Sequence, residues 1–85
     1  MKRAVKKIID GDTFIVNRRI GDTNRVRLAG VNALERGRPG GSEATSRLRG
    51  MIGGKTVTIV PQGKSYGRVV ADVRHKRKLV NKMLR

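Results

Sequence analysis

Glycine-containing turns divide this chain into short apolar runs, and that division limits the fold more than any other feature. The first run, residues 4–9, is rich in β-branched side chains and stops at Asp10-Gly11, and a second run begins at Thr13. β-Branched runs of this length, bounded by such turn residues, are typical of strands. We therefore predict a strand over residues 4–9 and a second strand that begins with residues 13–16, joined by a tight turn.

Three more runs have the character of strands. A hairpin turn is predicted over residues 18–22, and residues 25–29 then alternate charged and apolar side chains. Strict alternation predicts a third strand with one buried face. Residues 56–60 predict a fourth strand that closes at Pro61, and residues 69–73 predict a fifth.

One segment instead has helical periodicity. Residues 36–41 are rich in Gly and Pro and predict a loop, after which Ser42 is the predicted N-cap of a helix. Apolar residues then recur on one helical face, and Gly53-Gly54 is the predicted end. Residues 79–85 predict a second, short helix. The apolar face of the first helix consists of Ala44, Leu48, Met51 and Ile52.

The order of these elements is three strands, a helix, two strands and a short helix. This is the element order of an OB-type barrel. The chain has 85 residues, which is room for one small domain. We therefore predict a β-rich α+β fold over residues 1–85: a five-stranded OB-fold barrel with one helix between strands 3 and 4 and a short C-terminal helix.

The charge of the chain indicates its partners. It has 21 Lys and Arg against 6 Asp and Glu, a formal net charge of +15, with 36% hydrophobic residues. That hydrophobic content is enough for a globular core, and the excess positive charge favours polyanions such as DNA and RNA. The chain has no cysteine and one histidine, which excludes disulfides, thiolate zinc sites and thiol catalysis.

The sequence also indicates a location. No apolar run approaches the roughly 18 residues that suggest a membrane span, so we expect none. The positively charged start lacks an apolar run of signal-peptide length. We expect a cytoplasmic monomer, with secretion after processing left open.

The few acidic residues occur at informative places. If the predicted strands pair, then Asp12, Asn32 and Glu35 converge at one rim of the barrel. Oxygen ligands of this kind suit a hard cation such as Ca²⁺ or Mg²⁺. Asp-Gly is also an ordinary turn, and Asn-Ala-Leu-Glu is ordinary loop sequence. From the residues alone, a turn and a metal site both stay open.

Several segments together resemble the staphylococcal nuclease (thermonuclease-like) family, over nearly the whole chain. Asp-Gly-Asp-Thr and Tyr-Gly-Arg are common strings singly, but the combination with Arg-Leu-x-Gly-Val and a glutamate eight residues after the arginine is specific. The resemblance implies an OB-fold barrel that cleaves phosphodiester bonds of DNA and RNA, usually with calcium. The matching segments are IIDGDTFIV, RVRLAGVNALER, SEATSRLRGMIGGKTVTIV, YGRVVADV and LVNKML.

This resemblance implies a metal site. Asp12 matches a metal-binding aspartate, and Asn32 falls where the family has a second one. Ala33 would lend its backbone carbonyl. The expected ion is Ca²⁺, with another divalent cation possible.

It also implies a set of substrate-contacting residues. Glu35 matches the glutamate proposed as general base or water-positioner, and Arg27 and Arg68 match two arginines that bind the phosphate. Tyr66 matches a tyrosine beside the substrate. Lys64, two residues earlier, is predicted to bind substrate as well.

The chain departs from the family pattern in places that keep other functions open. Asn32 replaces an aspartate, Leu34 replaces the usual proline, and the family pattern continues beyond Arg85 with a longer helical region. These departures favour a non-catalytic nucleic-acid-binding domain as the alternative to a nuclease. A basic ribosome- or nucleoid-associated protein is a third possibility. Phe14 and Tyr66 are the only Phe, Tyr or Trp residues in the sequence. Two such residues are too few for the stacking platform of a single-strand-binding protein, which argues against that class of protein.

Overall fold

The computed structural model of the protein describes residues 1–32 and 39–84. In this part of the chain the elements follow the predicted order, except that a short sixth strand, which was not predicted, precedes the last helix. They are β1 (Lys2–Asp10), β2 (Thr13–Ile20), β3 (Thr23–Leu28), α1 (Gly41–Ile52), β4 (Thr56–Ser65), β5 (Arg68–His75), β6 (Lys78–Leu79) and α2 (Val80–Leu84).

Five of the strands form a closed barrel. They are hydrogen-bonded in the order β3-β2-β1-β4-β5, and a parallel pairing of β3 with β5 closes the ring. The other pairings are antiparallel, and the two-residue β6 pairs with the end of β5, beyond the part of β5 that pairs with β3. The predicted five-stranded OB-fold barrel, with a helix after strand 3 and a short C-terminal helix, is confirmed.

The inward faces of the strands and one face of α1 form the core. Along β3, Val26 and Leu28 are fully buried while Arg25 is exposed, as the alternation predicts. Leu48 and Ile52 of α1 pack on the same core. The buried apolar residues are Val5, Ile8, Phe14, Val16, Ile20, Val26, Leu28, Val31, Leu48, Ile52, Val57, Ile59, Val69, Ala71, Val73 and Val80.

Two strand boundaries were wrong. The turn was predicted over residues 18–22 but consists of Gly21 and Asp22 alone, because β2 continues to Ile20. Ile20 is buried and pairs with Thr23. β4 does not close at Pro61 but runs on to Ser65, with a register shift between Pro61 and Gly63. A bulge is one of the places where a sheet tolerates proline, which has no N–H for the ladder.

The predicted N-cap was also wrong. α1 begins at Gly41, and its cap is Gly40 in the left-handed conformation, with φ 83° and no capping side chain. Glycine adopts this conformation without the steric cost of a Cβ, so Ser42 lies inside the first turn. The C-terminus is as predicted: the N–H of Gly53 donates to the carbonyl of Arg49 at 2.8 Å.

A buried asparagine attaches α2 to the barrel. The Asn81 side chain is 0% exposed, and its Oδ1 accepts from the N–H of Val73 at 2.8 Å. Its Nδ2 donates to the carbonyls of Ala29 at 2.9 Å and Ala71 at 3.0 Å. Because Ala29 follows β3, this side chain holds the start of the segment that leads to Asn32. Neither described helix is long and apolar enough to cross a membrane.

Candidate functional site

The site is built on the tight turn between β1 and β2. The carbonyl of Asp12 in this turn accepts from the N–H of Leu28 at 2.8 Å, which fixes the turn against the end of β3. The Asp12 residue is only 7% exposed, and its Oδ1 accepts from the hydroxyl of Thr13 at 2.8 Å. The turn therefore holds one carboxylate, largely buried, at the rim of the barrel.

A second carboxylate lies beside it. Oδ1 of Asp10 accepts from the N–H of Asp12 at 3.1 Å. Burial, and next a side-chain hydrogen bond with Asp12, raise the pKa of Asp10 above its ordinary value. The sequence prediction treated Asp10 only as a turn residue, although its spacing of two residues from Asp12 was a usable signal. The structure brings two acidic groups together here.

Arg27, near the end of β3, contacts one of these two carboxylates, that of Asp12. Its Nη2 lies 3.5 Å from Oδ2 of Asp12. The same guanidinium donates to the carbonyls of Leu28 at 3.1 Å and Val31 at 3.0 Å, and to Oδ1 of Asn32 at 2.9 Å. These hydrogen bonds fix the plane of the guanidinium, and they use three of its five N–H donors.

Arg68 approaches the same place from β5. β5 runs parallel to β3, with Arg27 opposite Val70, so the start of β5 lies near the site. Nη1 of Arg68 is 3.5 Å from the hydroxyl oxygen of Thr13, and its Nε donates to the carbonyl of Ser65 at 3.3 Å. Thr13 therefore contacts both Asp12 and Arg68, a connecting role that the sequence prediction missed because an isolated threonine gives no signal.

The remaining predicted site residues have different positions. Asn32 reaches the site, with its amide oxygen held by Arg27. Ala33 and Glu35 lie outside the described residues. Tyr66 is 94% exposed in the two-residue turn between β4 and β5, where its φ of 50° is followed by 75° at Gly67. Nζ of Lys64 is 2.8 Å from Oδ1 of Asp22, so Lys64 forms an exposed ion pair with the turn between β2 and β3.

The described oxygen donors fit a divalent cation only in part. Two adjacent carboxylates, Asp10 and Asp12, offer hard oxygen ligands, and the raised pKa of Asp10 indicates a place that a positive ion would stabilise. Within residues 1–32 and 39–84, no three His, Cys, Asp or Glu side chains gather into a metal site.

Comparison with known proteins gives this geometry a family. Residues 25–85 match the model of the staphylococcal nuclease homologue family. The chain belongs to that family. The match includes Arg27, Asn32 and Arg68, whereas Asp10 and Asp12 lie before it.

A curated relative agrees with this membership. The chain is 32% identical over 71 residues to an Escherichia coli protein described as an uncharacterized endonuclease. That similarity covers 81% of this chain and 45% of the relative, so the chain spans less than half of the relative's length. The staphylococcal nuclease resemblance in the sequence is thus confirmed, and it places this chain in a nuclease family.

Proposed function

We propose that this staphylococcal nuclease homologue hydrolyses phosphodiester bonds of DNA, RNA or both with the help of a divalent cation, expected to be Ca²⁺. The observation that supports it is the convergence of Arg27, Arg68 and the buried Asp12 around Thr13. Binding alone would gain nothing from a buried carboxylate where phosphate must approach, because like charges repel. A carboxylate there is explained by a cation held between it and the phosphate.

The two arginines are the proposed phosphate ligands. Arginine binds phosphate oxygens with parallel N–H donors, and it stabilises charge that develops on them. Within residues 1–32 and 39–84, Arg27 uses three of its five N–H donors in hydrogen bonds, so two others can bind a phosphate. Because its plane is already fixed, little side-chain entropy is lost when an oxygen binds.

Asp12 is the proposed principal metal ligand, with Asp10 beside it and with Asn32 and the carbonyl of Ala33 as further candidates. A bound divalent cation would neutralise phosphate charge and activate water. Glu35 is the proposed general base or water-positioning group. Its assignment comes from its place in the family pattern.

Two further residues are proposed to bind the substrate outside the scissile phosphate. The exposed ring of Tyr66 lies two residues before Arg68 and is free to stack on a base or sugar. Lys64 is proposed to contact phosphate, and to do so it must break its ion pair with Asp22. A monomeric state and a cytoplasmic location stay predictions.

One observation favours the alternative, a nucleic-acid-binding domain without hydrolysis. The amide oxygen of Asn32, which the family pattern places at the metal, accepts a hydrogen bond from Arg27. Asparagine also lacks the negative charge of aspartate, so this chain offers less charge to a cation than the family pattern does.

Substitution of Glu35 separates the two functions. Glu35→Gln keeps the size and hydrogen-bonding reach of the side chain but cannot accept a proton at neutral pH. We expect single-turnover cleavage of a labelled oligonucleotide to fall about 10²–10⁴-fold, the usual contribution of a general base. Binding in EDTA should stay nearly unchanged, because it depends on the arginines and the net positive charge.

Glu43→Gln is the matched control, since Glu43 is an exposed glutamate in the first turn of α1. It should cleave at the rate of the unmodified protein. Equal rates for the Glu35 variant and the unmodified protein would show that the assigned role is wrong. If the unmodified protein cleaves neither DNA nor RNA with Ca²⁺, Mg²⁺ or Mn²⁺, the binding function replaces the nuclease.

A further inference from the structure

A basic hollow lies outside the site described above, between β1 and the end of α1. Its volume is about 390 Å³. This falls within the range of pockets that hold small ligands. Its lining residues are Val5, Lys6, Lys7, Ile8, Arg49, Gly53 and Gly54.

An irregularity in β1 creates this hollow. The register of β1 with β2 shifts between Val5 and Lys7, which leaves Lys6 as an extra residue. Such a bulge bends the strand and redirects side chains, so two consecutive lysines are exposed here. On its other side β1 has a partner strand only as far as Ala4, because β4 begins at Thr56; the N–H of Val5 still donates to the carbonyl of Lys55, and the end of α1 lies beside the strand that follows.

The backbone conformation favours a glycine at position 54, in the wall of the hollow after α1. Gly54 has a φ of 70°, and a Cβ built on it would meet no atom within 4 Å. Only a residue that tolerates positive φ fits here without strain. Gly54 therefore presents bare backbone to the hollow.

The three cations of the hollow have no partner within the described part of the chain. Lys6, Lys7 and Arg49 are exposed, no carboxylate is among the lining residues, and no side-chain hydrogen bond or ion pair of theirs occurs within residues 1–32 and 39–84. By contrast, Lys64 forms an ion pair with Asp22, and Arg27 forms one with Asp12. Three nearby positive charges repel one another, and an anion between them would relieve that repulsion.

The hollow also lies close to the proposed site along the same strand. Lys7 precedes Asp10 by three residues, which is a distance of about 10 Å along β1 at the usual rise of a strand. A nucleic-acid strand bound at Arg27 and Arg68 is therefore near enough to reach the hollow with another of its phosphates.

We propose that Lys6, Lys7 and Arg49 bind a backbone phosphate of the nucleic-acid strand whose scissile phosphate lies at Arg27 and Arg68. This inference rests on the proposed function. Lysine and arginine contacts to phosphate fix the register of a protein on a strand without reading sequence. The hollow would thus hold the strand in place while the site acts on it. A free phosphate or mononucleotide has the same chemistry and is tested separately.

The test compares two variants of equal charge. One is Lys6→Gln/Lys7→Gln/Arg49→Gln, and the other is Lys2→Gln/Arg18→Gln/Lys82→Gln, whose exposed cations lie outside the hollow. The affinity of each for a single-stranded oligonucleotide is measured in EDTA at several salt concentrations. Loss of one phosphate contact lowers the slope of log K against log salt by about 0.7.

For the hollow variant we expect the slope of log K against log salt to decrease by about 0.7 or more. For the control variant we expect a smaller decrease. Equal decreases in both variants would overturn the proposal, because they would reflect net charge alone. Thermal melts confirm that both variants are folded. Arg49→Gln alone should lower the slope as well; if it lowers only the melting temperature, Arg49 merely complements the helix dipole and is not a phosphate ligand.

Amide chemical shifts of the unmodified protein provide a second measurement that needs no variant. Addition of the oligonucleotide in EDTA should shift the amides of residues 6–8, 53 and 54. Unchanged amides there would overturn the proposal. So would shifts produced by inorganic phosphate or a mononucleotide but not by the oligonucleotide, because the hollow would then lie off the path of the strand.

The outcomes keep the two proposals apart. If the hollow variant loses slope but the unmodified protein never cleaves, the hollow is a phosphate site on a binding domain and the nuclease proposal fails. If Glu35→Gln abolishes cleavage while both triple variants behave alike, the nuclease proposal stands and the hollow proposal fails.

Discussion

Arg27 illustrates at the scale of one residue why arginine suits this position better than lysine. Its guanidinium contacts two backbone carbonyls, the Asn32 amide and Asp12 at once. A lysine has three donors on one atom, so the same contacts would leave nothing for a phosphate. The planar group, by contrast, is held on one side and retains donors for a ligand.

Asn32 gives a direct test of the metal site. Asn32→Asp adds a carboxylate beside Arg27, at the position where the family pattern has an aspartate. Because calcium affinity rises with ligand charge, we expect tighter Ca²⁺ binding by calorimetry, and faster cleavage if the protein is a nuclease. Asn24→Asp in β3 adds the same charge elsewhere and should change neither. Weaker or unchanged Ca²⁺ binding in the Asn32 variant would show that this side chain does not face the ion.

The ion pair between Asp22 and Lys64 predicts a dependence on pH. The hydrogen bond from Lys64 lowers the pKa of Asp22 below its ordinary value of 3.8. A lowered pKa means that the pair stabilises the fold above pH 3.8 and loses that contribution as the pH falls through the folded-state pKa. In Lys64→Met we therefore expect the pKa of Asp22, followed by NMR, to rise towards 3.8.

Lys76→Met, in the exposed turn after β5, is the control and should leave Asp22 unchanged. The same NMR titration tests the substrate role of Lys64. If an oligonucleotide draws Lys64 away, the pKa of Asp22 should rise on its addition. No rise at saturating oligonucleotide would show that Lys64 stays on Asp22.

At the scale of elements, Asn81 connects α2 to β5 and to the residue that follows β3. Asn81→Ala would leave the buried N–H of Val73 without an acceptor and remove two donors to carbonyls. One unsatisfied buried group costs about 1–3 kcal/mol, so we expect a loss of that size in the free energy of unfolding from urea denaturation. Metal and phosphate binding should weaken too, because Ala29 begins the segment that leads to Asn32.

Asn17→Ala is the matched control. The Oδ1 of Asn17 also accepts a backbone hydrogen bond, from Ala4 at 3.1 Å, but in an exposed position where water can replace it. Its cost should be a few tenths of a kcal/mol, typical of surface substitutions. Similar losses in both variants would mean that burial of Asn81 contributes nothing particular.

The sequence predicted elements well where local periodicity decided them. The alternation in β3 follows from burial of every second residue and is confirmed. The helical face of α1 is confirmed at Leu48 and Ile52, which are buried, whereas Ala44 and Met51 are half-buried. The errors arose where tertiary contacts override local signals. Pro61 stays in β4 because a bulge accommodates it. Gly40 replaces Ser42 as the N-cap of α1 because the cap position has a left-handed backbone conformation.

The candidate site was predictable in part for the same reason. Asp12, Arg27 and Arg68 stand out as charged residues at strand ends in family-like strings, and the barrel brings them together. Thr13 and Asn81 act through contacts between distant segments, and no local pattern marks them, whereas the spacing of Asp10 from Asp12 was a usable signal. The basic hollow depends on a bulge and on the end of a helix. Neither feature can be read from the composition of the segment.

At the scale of the whole molecule, the charge acts on folding and on binding at once. A net charge of +15 belongs to a chain whose radius of gyration is 11.5 Å. The screening length is about 10 Å at 0.1 M salt, so at low salt the positive charges repel one another across the entire barrel. That repulsion opposes the compact state, whereas the same field attracts nucleic acid.

Salt should therefore have opposite effects on the free protein and on its complex. Added NaCl screens the repulsion, so the melting temperature of the free protein should rise with salt. The affinity for single-stranded oligonucleotides should fall linearly on a log–log scale, by about 0.7 in slope per phosphate contact, and almost equally for unrelated sequences. Calorimetric melts and fluorescence anisotropy in EDTA measure the two effects, with an uncharged osmolyte as a control that should leave the binding slope unaltered. A melting temperature that falls with NaCl would contradict the repulsion argument. A flat salt dependence, or a strong preference for one sequence, would mean that recognition depends on base contacts rather than on the distributed positive charge.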